Sequence, residues 1–194
     1  SGIDASNRIF IVGMLRSGST LAEQIIDAHP GAYGIGESEV LPKLINAELS
    51  DQQIEAWRDV SSDQLAKIAT QYLNETQEAN EQKVVVDKQL GNFQFVGMIH
   101  QLFPNAKVIH CTRNPMSMGL SCFAQKLPPY SNPWASSLET IGQFYSIYSS
   151  LMFHWSSCFE ELLEVPYEAL IQNQEQWTLT ILNYCGLSFD EKCL

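Results

Sequence analysis

The sequence predicts an α/β fold, a parallel β-sheet flanked by helices on both faces in three layers. Three observations carry this. Short apolar runs alternate with longer segments of helical pattern along the whole chain, and such βα alternation implies parallel strands covered by helices on both sides. The runs are apolar at successive positions, as in Ile9–Val12, Val84–Val86 and Val108-Ile109, which is the mark of strands buried on both faces. No internal repeat, low-complexity stretch or linker divides the 194 residues, so 1–194 is expected to be one domain with a substantial core.

Strands are expected at about 8–13, 32–35, 83–86, 106–111 and 162–166, and helices at about 18–28, 38–46, 61–78, 92–102, 115–125, 136–160 and 174–185. The first strand ends at Gly13, and Leu21-Ala-Glu-Gln-Ile-Ile opens the first helix. Helix 92–102 stops before Pro104. Asn114 is a good N-cap and Pro115 suits the first helical position, so a helix starts there. The Gln/Asp/Glu-rich stretch 50–82 reads as a helical insertion flanking an acceptor entrance. Residues 127–134, bounded by prolines, read as a mobile lid. In helix 136–160, Phe144, Tyr148, Leu151 and Trp155 recur at helical spacing and are assigned to the core.

Between the first strand and helix runs Gly13-Met-Leu-Arg-Ser-Gly-Ser-Thr20. A strand, a tight small-residue loop and a helix start aim backbone N–H groups and a helix dipole at an anion. Gly13, Gly18 and Thr20 stand where a GxxxxGK[ST] phosphate loop has its glycines and final hydroxyl, but Ser19 replaces the lysine. Positive charge comes instead from Arg16, inside the loop. The loop is built for an anion other than a triphosphate.

A second anion motif follows the strand at 106–111. Arg113 stands at its end, and Ser117 and Ser121 lie four apart on one helix face. Arg113 and Ser121 make a two-pronged clamp; the bland alternative is a strand-end arginine in a surface ion pair. A third segment, Asp87-Lys-Gln-Leu-Gly-Asn-Phe, breaks from an apolar strand into polar residues.

Together these segments resemble the sulfotransferase superfamily, and most closely its bacterial and tyrosylprotein-type branch. That branch has a loop of the form Pro/Met-x-Arg-Ser-Gly-Thr-Thr, with Ser19 here in place of the first threonine. Its second signature is Arg-Asp-Pro with a serine eight positions after the arginine; Arg113 and Ser121 match, and Asn114 replaces the aspartate. Its Asp-Lys-x-Pro-x-Asn-Phe stretch matches 87–93, with Leu90 for the proline. The resemblance covers most of the chain and is strongest at 8–38, 83–121 and 160–190.

It implies a P-loop, nucleotide-kinase-like fold and transfer of a sulfuryl group from 3′-phosphoadenosine 5′-phosphosulfate to a hydroxyl, leaving adenosine 3′,5′-bisphosphate. Arg16, Ser17, Gly18, Ser19 and Thr20 would grip the 5′-phosphosulfate, while Arg113 and Ser121 hold the 3′-phosphate. Lys88 with Arg16 would neutralise the departing phosphate oxygen. Cytosolic relatives place a histidine base two residues after the lysine, where this chain has Leu90, so the base must lie elsewhere. Gly36-Glu37 matches the branch's catalytic Gly-Glu. The alternative for Glu37 is a helix N-terminal glutamate stabilised by the dipole, and Glu39 and His29 are the next candidates as base.

Composition narrows the setting. The formal charge is −11, with four arginines, two of them in the anion motifs. So acidic a chain repels nucleic acid and sulfated polysaccharides. Cys111, Cys122, Cys158, Cys185 and Cys193 form no CxxC pair and read as reduced thiols. No membrane-spanning run or signal peptide is evident, and a cytoplasmic setting is expected. His110 lies inside an apolar strand and reads as a core residue; no histidine has metal-ligand spacing, so no metal is expected. The expected partner is a small-molecule or peptide hydroxyl acceptor. The family usually continues with a segment closing over the adenine, and its bacterial branch often carries helical repeats upstream, so a longer protein is expected. Two rivals stand beside this reading: a small-molecule or nucleotide kinase using ATP, and a nucleotide-binding protein without turnover.

Overall fold

The computed structural model describes residues 5–49, 60–77, 83–125 and 127–194. Five strands, β1 (Arg8–Gly13), β2 (Ala32–Gly36), β3 (Val84–Asp87), β4 (Lys107–Thr112) and β5 (Leu163–Pro166), form one sheet in the order β2-β3-β1-β4-β5. Every pairing is parallel. Helices α1 (Ser19–Asp27), α2 (Val40–Leu49), α3 (Ser62–Glu75), α4 (Val96–Leu102), α5 (Pro115–Ala124), α6 (Leu138–Cys158), α7 (Tyr167–Gln172) and α8 (Gln174–Cys185) complete the described chain with three short 3₁₀ segments.

Alternation along β1 sorts the core. Ile9 and Ile11 pack with Ala22, Ile25 and Ile26 of α1 and Ile181 and Leu182 of α8. Phe10 points the other way, into α2, α3 and α4, where it meets the rings of Tyr72 and Phe103 at 5.7 and 6.0 Å. Val12, on that second face, packs with Met118 of α5 and Ile141, Tyr148 and Met152 of α6. A strand buried on both faces needs apolar side chains at every position, which is what the run supplies. β1 is central: β2 and β3 lie to one side, β4 and β5 to the other. Ligands of open α/β sheets bind at such a reversal, beyond the carboxyl ends of the strands.

The α/β parallel sheet stands as the sequence predicts, with its boundaries adjusted. Helix 92–102 opens with a 3₁₀ stretch, Leu90–Phe95, before α4. The helix expected at 38–46 starts at Val40, because Ser38 Oγ accepts the Val40 N–H and turns the chain there. Helix 61–78 is Ser62–Glu75, begun by a capping box between Ser61 and Gln64; the rest of the expected insertion, 50–59 and 78–82, lies outside the described residues. Helix 136–160 is Leu138–Cys158, capped by Ser137 and Thr140. The short α7 and the 3₁₀ turn Glu191–Cys193 were not anticipated, since six- and three-residue elements show no full period. At the far end of the expected lid, Trp134 stacks on Phe144 at 4.5 Å, pinning that end to α6.

Candidate functional site

The chain leaves β1 at Gly13, turns through Met14–Ser17 and enters α1 at Gly18. Gly18 sits at φ +91, and a Cβ there would lie 2.4 Å from the Tyr167 ring, so only glycine lets the loop close against α7. No side chain caps α1, and its first turn carries no acidic residue. Its first N–H groups are therefore left for an anion. Ser17 Oγ is buried without a partner.

The structure brings Arg16, Arg113 and Ser121 together. Arg16 lies at φ +70, and its Nε donates to Ser121 Oγ at 2.9 Å. Arg113 Nη1 donates to the Arg16 carbonyl at 3.1 Å, and its guanidinium lies 4.7 Å over the Tyr167 ring. Arg113 Nε is buried without a partner. Asn114 caps α5, its Oδ1 accepting from the N–H groups of Met116 and Ser117. The Asn114 N–H in turn donates to Glu168 Oε1 at 3.0 Å. Two cations from separate motifs thus share one rim, held by α7.

Lys88, Glu37 and a residue missed in the sequence, Glu23, form a second cluster at the ends of β3 and β2. Lys88 Nζ donates to Glu37 Oε1 at 2.8 Å and lies 3.5 Å from Glu23 Oε2. The Lys88 side chain is 8% exposed, Glu23 14% and Glu37 60%. Burial alone would lower the Lys88 pKa; the bond to Glu37 and the charges of Glu23 and Glu37 outweigh it, and the net shift is upward. Glu23 is pushed up by burial, against the pull of Lys88. Because α2 starts at Val40, Glu37 lies outside its first turn, and its partner is Lys88 rather than the helix dipole.

Behind Lys88, Asp87 is buried and pushed up to about 7 by desolvation. It accepts from the Tyr72 hydroxyl at 2.9 Å and the Gln89 N–H at 3.1 Å, with buried Arg8 nearby. Ser19 is buried and Thr20 exposed at the start of α1. His29 Nδ1 accepts the Gly31 N–H, and Glu39 pairs with Lys43 at 2.8 Å, so both reserve bases have other partners. His110 is buried against the Tyr148 hydroxyl and pulled down to about 4 by desolvation. That pair lines a cavity of about 280 Å³ together with Arg113 and Glu164, and His110 Nδ1 lies 3.9 Å from Glu164 Oε2. Among the described residues no group of three His, Cys, Asp or Glu could hold a metal, and no helix is long and apolar enough to cross a membrane.

Glu23 and Tyr167 were the residues sequence reasoning passed over. A glutamate in an amphipathic helix reads as a solvated face, and only the folded sheet turns it toward Lys88. Tyr167 lies 54 residues beyond Arg113 and shows no motif until the two stack.

A model of the sulfotransferase family matches residues 8–191. The chain belongs to the sulfotransferase family. It is 31% identical to an uncharacterized protein of Aquifex aeolicus, across all of this chain but 27% of that protein. It is 23% identical to a putative protein-tyrosine sulfotransferase of Caenorhabditis briggsae, over 96% of this chain and 68% of that one. Among solved structures it is similar to the sulfotransferase domain of the Synechococcus PCC 7002 olefin synthase, with TM-score 0.73 and 23% identity over 100% of this chain and 78% of that one. Mouse sulfotransferase SULT7A1 complexed with PAP gives TM-score 0.59 at 14% identity, over 97% and 62% of the two chains. These structural likenesses show the sulfotransferase fold. The chain spans about a quarter of the Aquifex relative.

Proposed function

We propose that this sulfotransferase-family chain uses 3′-phosphoadenosine 5′-phosphosulfate and delivers its sulfuryl group to a hydroxyl acceptor. The observation that carries the reading is the pairing of two clusters around one loop: Arg16, Arg113 and Ser121 on the β4 side, Lys88 and Glu37 on the β3 side. The residues present fit the nucleotide. Among the described residues, buried Ser17 Oγ and Arg113 Nε have no hydrogen-bond partner and the α1 N-terminus has no side-chain cap.

The nucleotide supplies the activated sulfuryl group. Residues 16–20 would hold the 5′-phosphosulfate, and Arg113 with Ser121 the 3′-phosphate; the Arg16–Ser121 bond makes Arg16 a bridge between both groups. Lys88 would offset charge on the departing phosphate oxygen, and such preorganised groups are worth about 10²–10³ in rate each. Glu37, exposed enough to meet an acceptor, would take the hydroxyl proton. By analogy with phosphoryl transfer, the remaining work is positioning. No step requires a metal.

The acceptor is a small-molecule or peptide hydroxyl. The similarity to proteins named protein-tyrosine sulfotransferases supports a tyrosine among the first to try. The formal charge of −11 weighs against polyanionic acceptors. ATP is disfavoured as donor because Ser19 stands where ATP-using loops have lysine.

The test is thermal unfolding with adenosine 3′,5′-bisphosphate beside ATP with and without Mg²⁺. A ligand at one hundred times its Kd adds about 2.7 kcal/mol. The bisphosphate should raise the Tm well above either ATP condition. Equal shifts would overturn the assignment of the donor.

A further inference from the structure

Lys88 is fastened from two sides by carboxylates of very different exposure. An ammonium has three N–H donors, and here one carboxylate comes from α1 and one from the turn after β2. Glu37, 60% exposed, can exchange Lys88 for water at little cost. Glu23, 14% exposed, cannot, because a buried carboxylate left without its cation is strongly unfavourable. Glu37 is therefore the exchangeable partner and Glu23 the fixed one.

Glu23 has a second attachment. The Gly36 N–H, from the residue before Glu37, faces its carboxylate and pulls its pKa down against the effect of burial. The Gly36 carbonyl in turn accepts the Lys88 N–H at 3.0 Å. Gly36 sits at φ +68, a conformation glycine adopts freely and one that sets the direction in which the chain enters Glu37. The side chain is wedged against β2 as well: a Cβ on Gly34 would lie 3.4 Å from Glu23 Oε1. One side chain on the helix that follows the phosphate loop thus ties the main chain before Glu37 to the head of Lys88.

We propose that Glu23 is the positioning residue of the transfer site, tethering the Lys88 ammonium and the Gly36 amide so that Glu37 alone is free to leave Lys88 and act as base. This rests on the sulfotransferase reading above for its consequence in catalysis, but the tether itself does not. The groups facing Glu23 are Asp87 at the end of β3 and Lys88 just after it, Asp27 one turn along α1, and Gly36, with Glu37 sharing the same ammonium.

The test uses Glu23→Gln, close in shape, and Glu23→Asp, which keeps the charge on a shorter stem. Without any nucleotide, nitrogen-15 NMR should show the Lys88 ammonium losing its proton at lower pH in Glu23→Gln than in the wild type, since the carboxylate that raises it is gone. Gly36 amide exchange should quicken in Glu23→Gln and stay slow in Glu37→Gln. In transfer assays kcat should fall about 10²-fold in Glu23→Gln, the scale of an ångström-sized misplacement, while the KM for the donor changes little and Glu23→Asp recovers part of the rate. The alkaline limb of the rate profile should move to lower pH. Unchanged Lys88 titration and unchanged Gly36 exchange in Glu23→Gln would overturn the tether. A wild-type chain that transfers no sulfuryl group, yet shows both NMR effects, would overturn the catalytic reading and leave the tether standing.

Discussion

Arg16 Nε and Ser121 Oγ, 105 residues apart in sequence, meet at 2.9 Å and join the phosphate loop to the second anion motif. Arg16 holds this contact from a left-handed backbone conformation that few non-glycine residues adopt. The Arg16 carbonyl receives Arg113, so the two arginines and the serine form one bonded chain.

That chain should behave as a unit toward nucleotides. Arg113→Ala is expected to weaken adenosine 3′,5′-bisphosphate by on the order of 1.5–3 kcal/mol, and adenosine 5′-monophosphate far less. Ser121→Ala should act in the same direction more weakly. Because their side chains touch, Arg16→Ala with Ser121→Ala should depart from additivity by about 0.5 kcal/mol or more. Titration calorimetry on the wild type, the three single variants and the double variant decides it, and equal losses for both nucleotides would remove Arg113 from a 3′-phosphate site.

Gly18→Ala should both destabilise the protein and abolish bisphosphate binding. The new methyl group meets the Tyr167 ring at 2.4 Å and must also adopt φ +91. The backbone penalty alone is about 1–2 kcal/mol. Denaturant midpoints and calorimetry give the two readings; a variant of full stability would mean the loop relaxes around α7.

Glu37→Gln should leave bisphosphate affinity almost unchanged while lowering the transfer rate by about 10²–10⁴, the usual contribution of general acid–base catalysis. An alkyl alcohol or sugar acceptor is the right assay, because an acidic phenol hardly needs a base. Full kcat in this variant would send the proton elsewhere.

Two buried groups should tilt stability with pH in opposite directions. Native Asp87 keeps its proton to about 7, whereas its ordinary value is 3.8. Between those limits the native state binds more protons, so this contribution falls as pH rises. Native His110 is pulled down to about 4 from an ordinary 6.5, so the unfolded chain binds more protons there and this contribution is lost as pH falls. Asp87→Asn should therefore make stability rise more steeply between pH 4 and 7 than in the wild type, and His110→Gln should make it fall. Denaturant titrations at several pH values measure both slopes; parallel curves for all three proteins would show that neither group titrates as its burial dictates.

What the sequence by itself determined was whatever is carried by contiguous residues. The apolar runs at 9–12, 84–86 and 108–109 specify strands covered on both faces, and the loop at 13–20 specifies an anion-binding strand-to-helix turn, because period and backbone freedom are local properties. Asn114 and Pro115 likewise announce the start of α5. Only the tertiary structure decided which charges meet. The sequence places Arg16 in the phosphate loop, but only the fold sets its Nε against Ser121. Glu23 looked like a solvated helix residue until β3 brought Lys88 to it, and Tyr167 was silent until its ring closed on Gly18 and Arg113. The strand order places β3 and β4 on either side of β1, and that order is chosen by burial across the whole sheet rather than by any local signal. Electrostatic partnership depends on distances of a few ångströms between residues tens of positions apart, and only the packed core sets those distances.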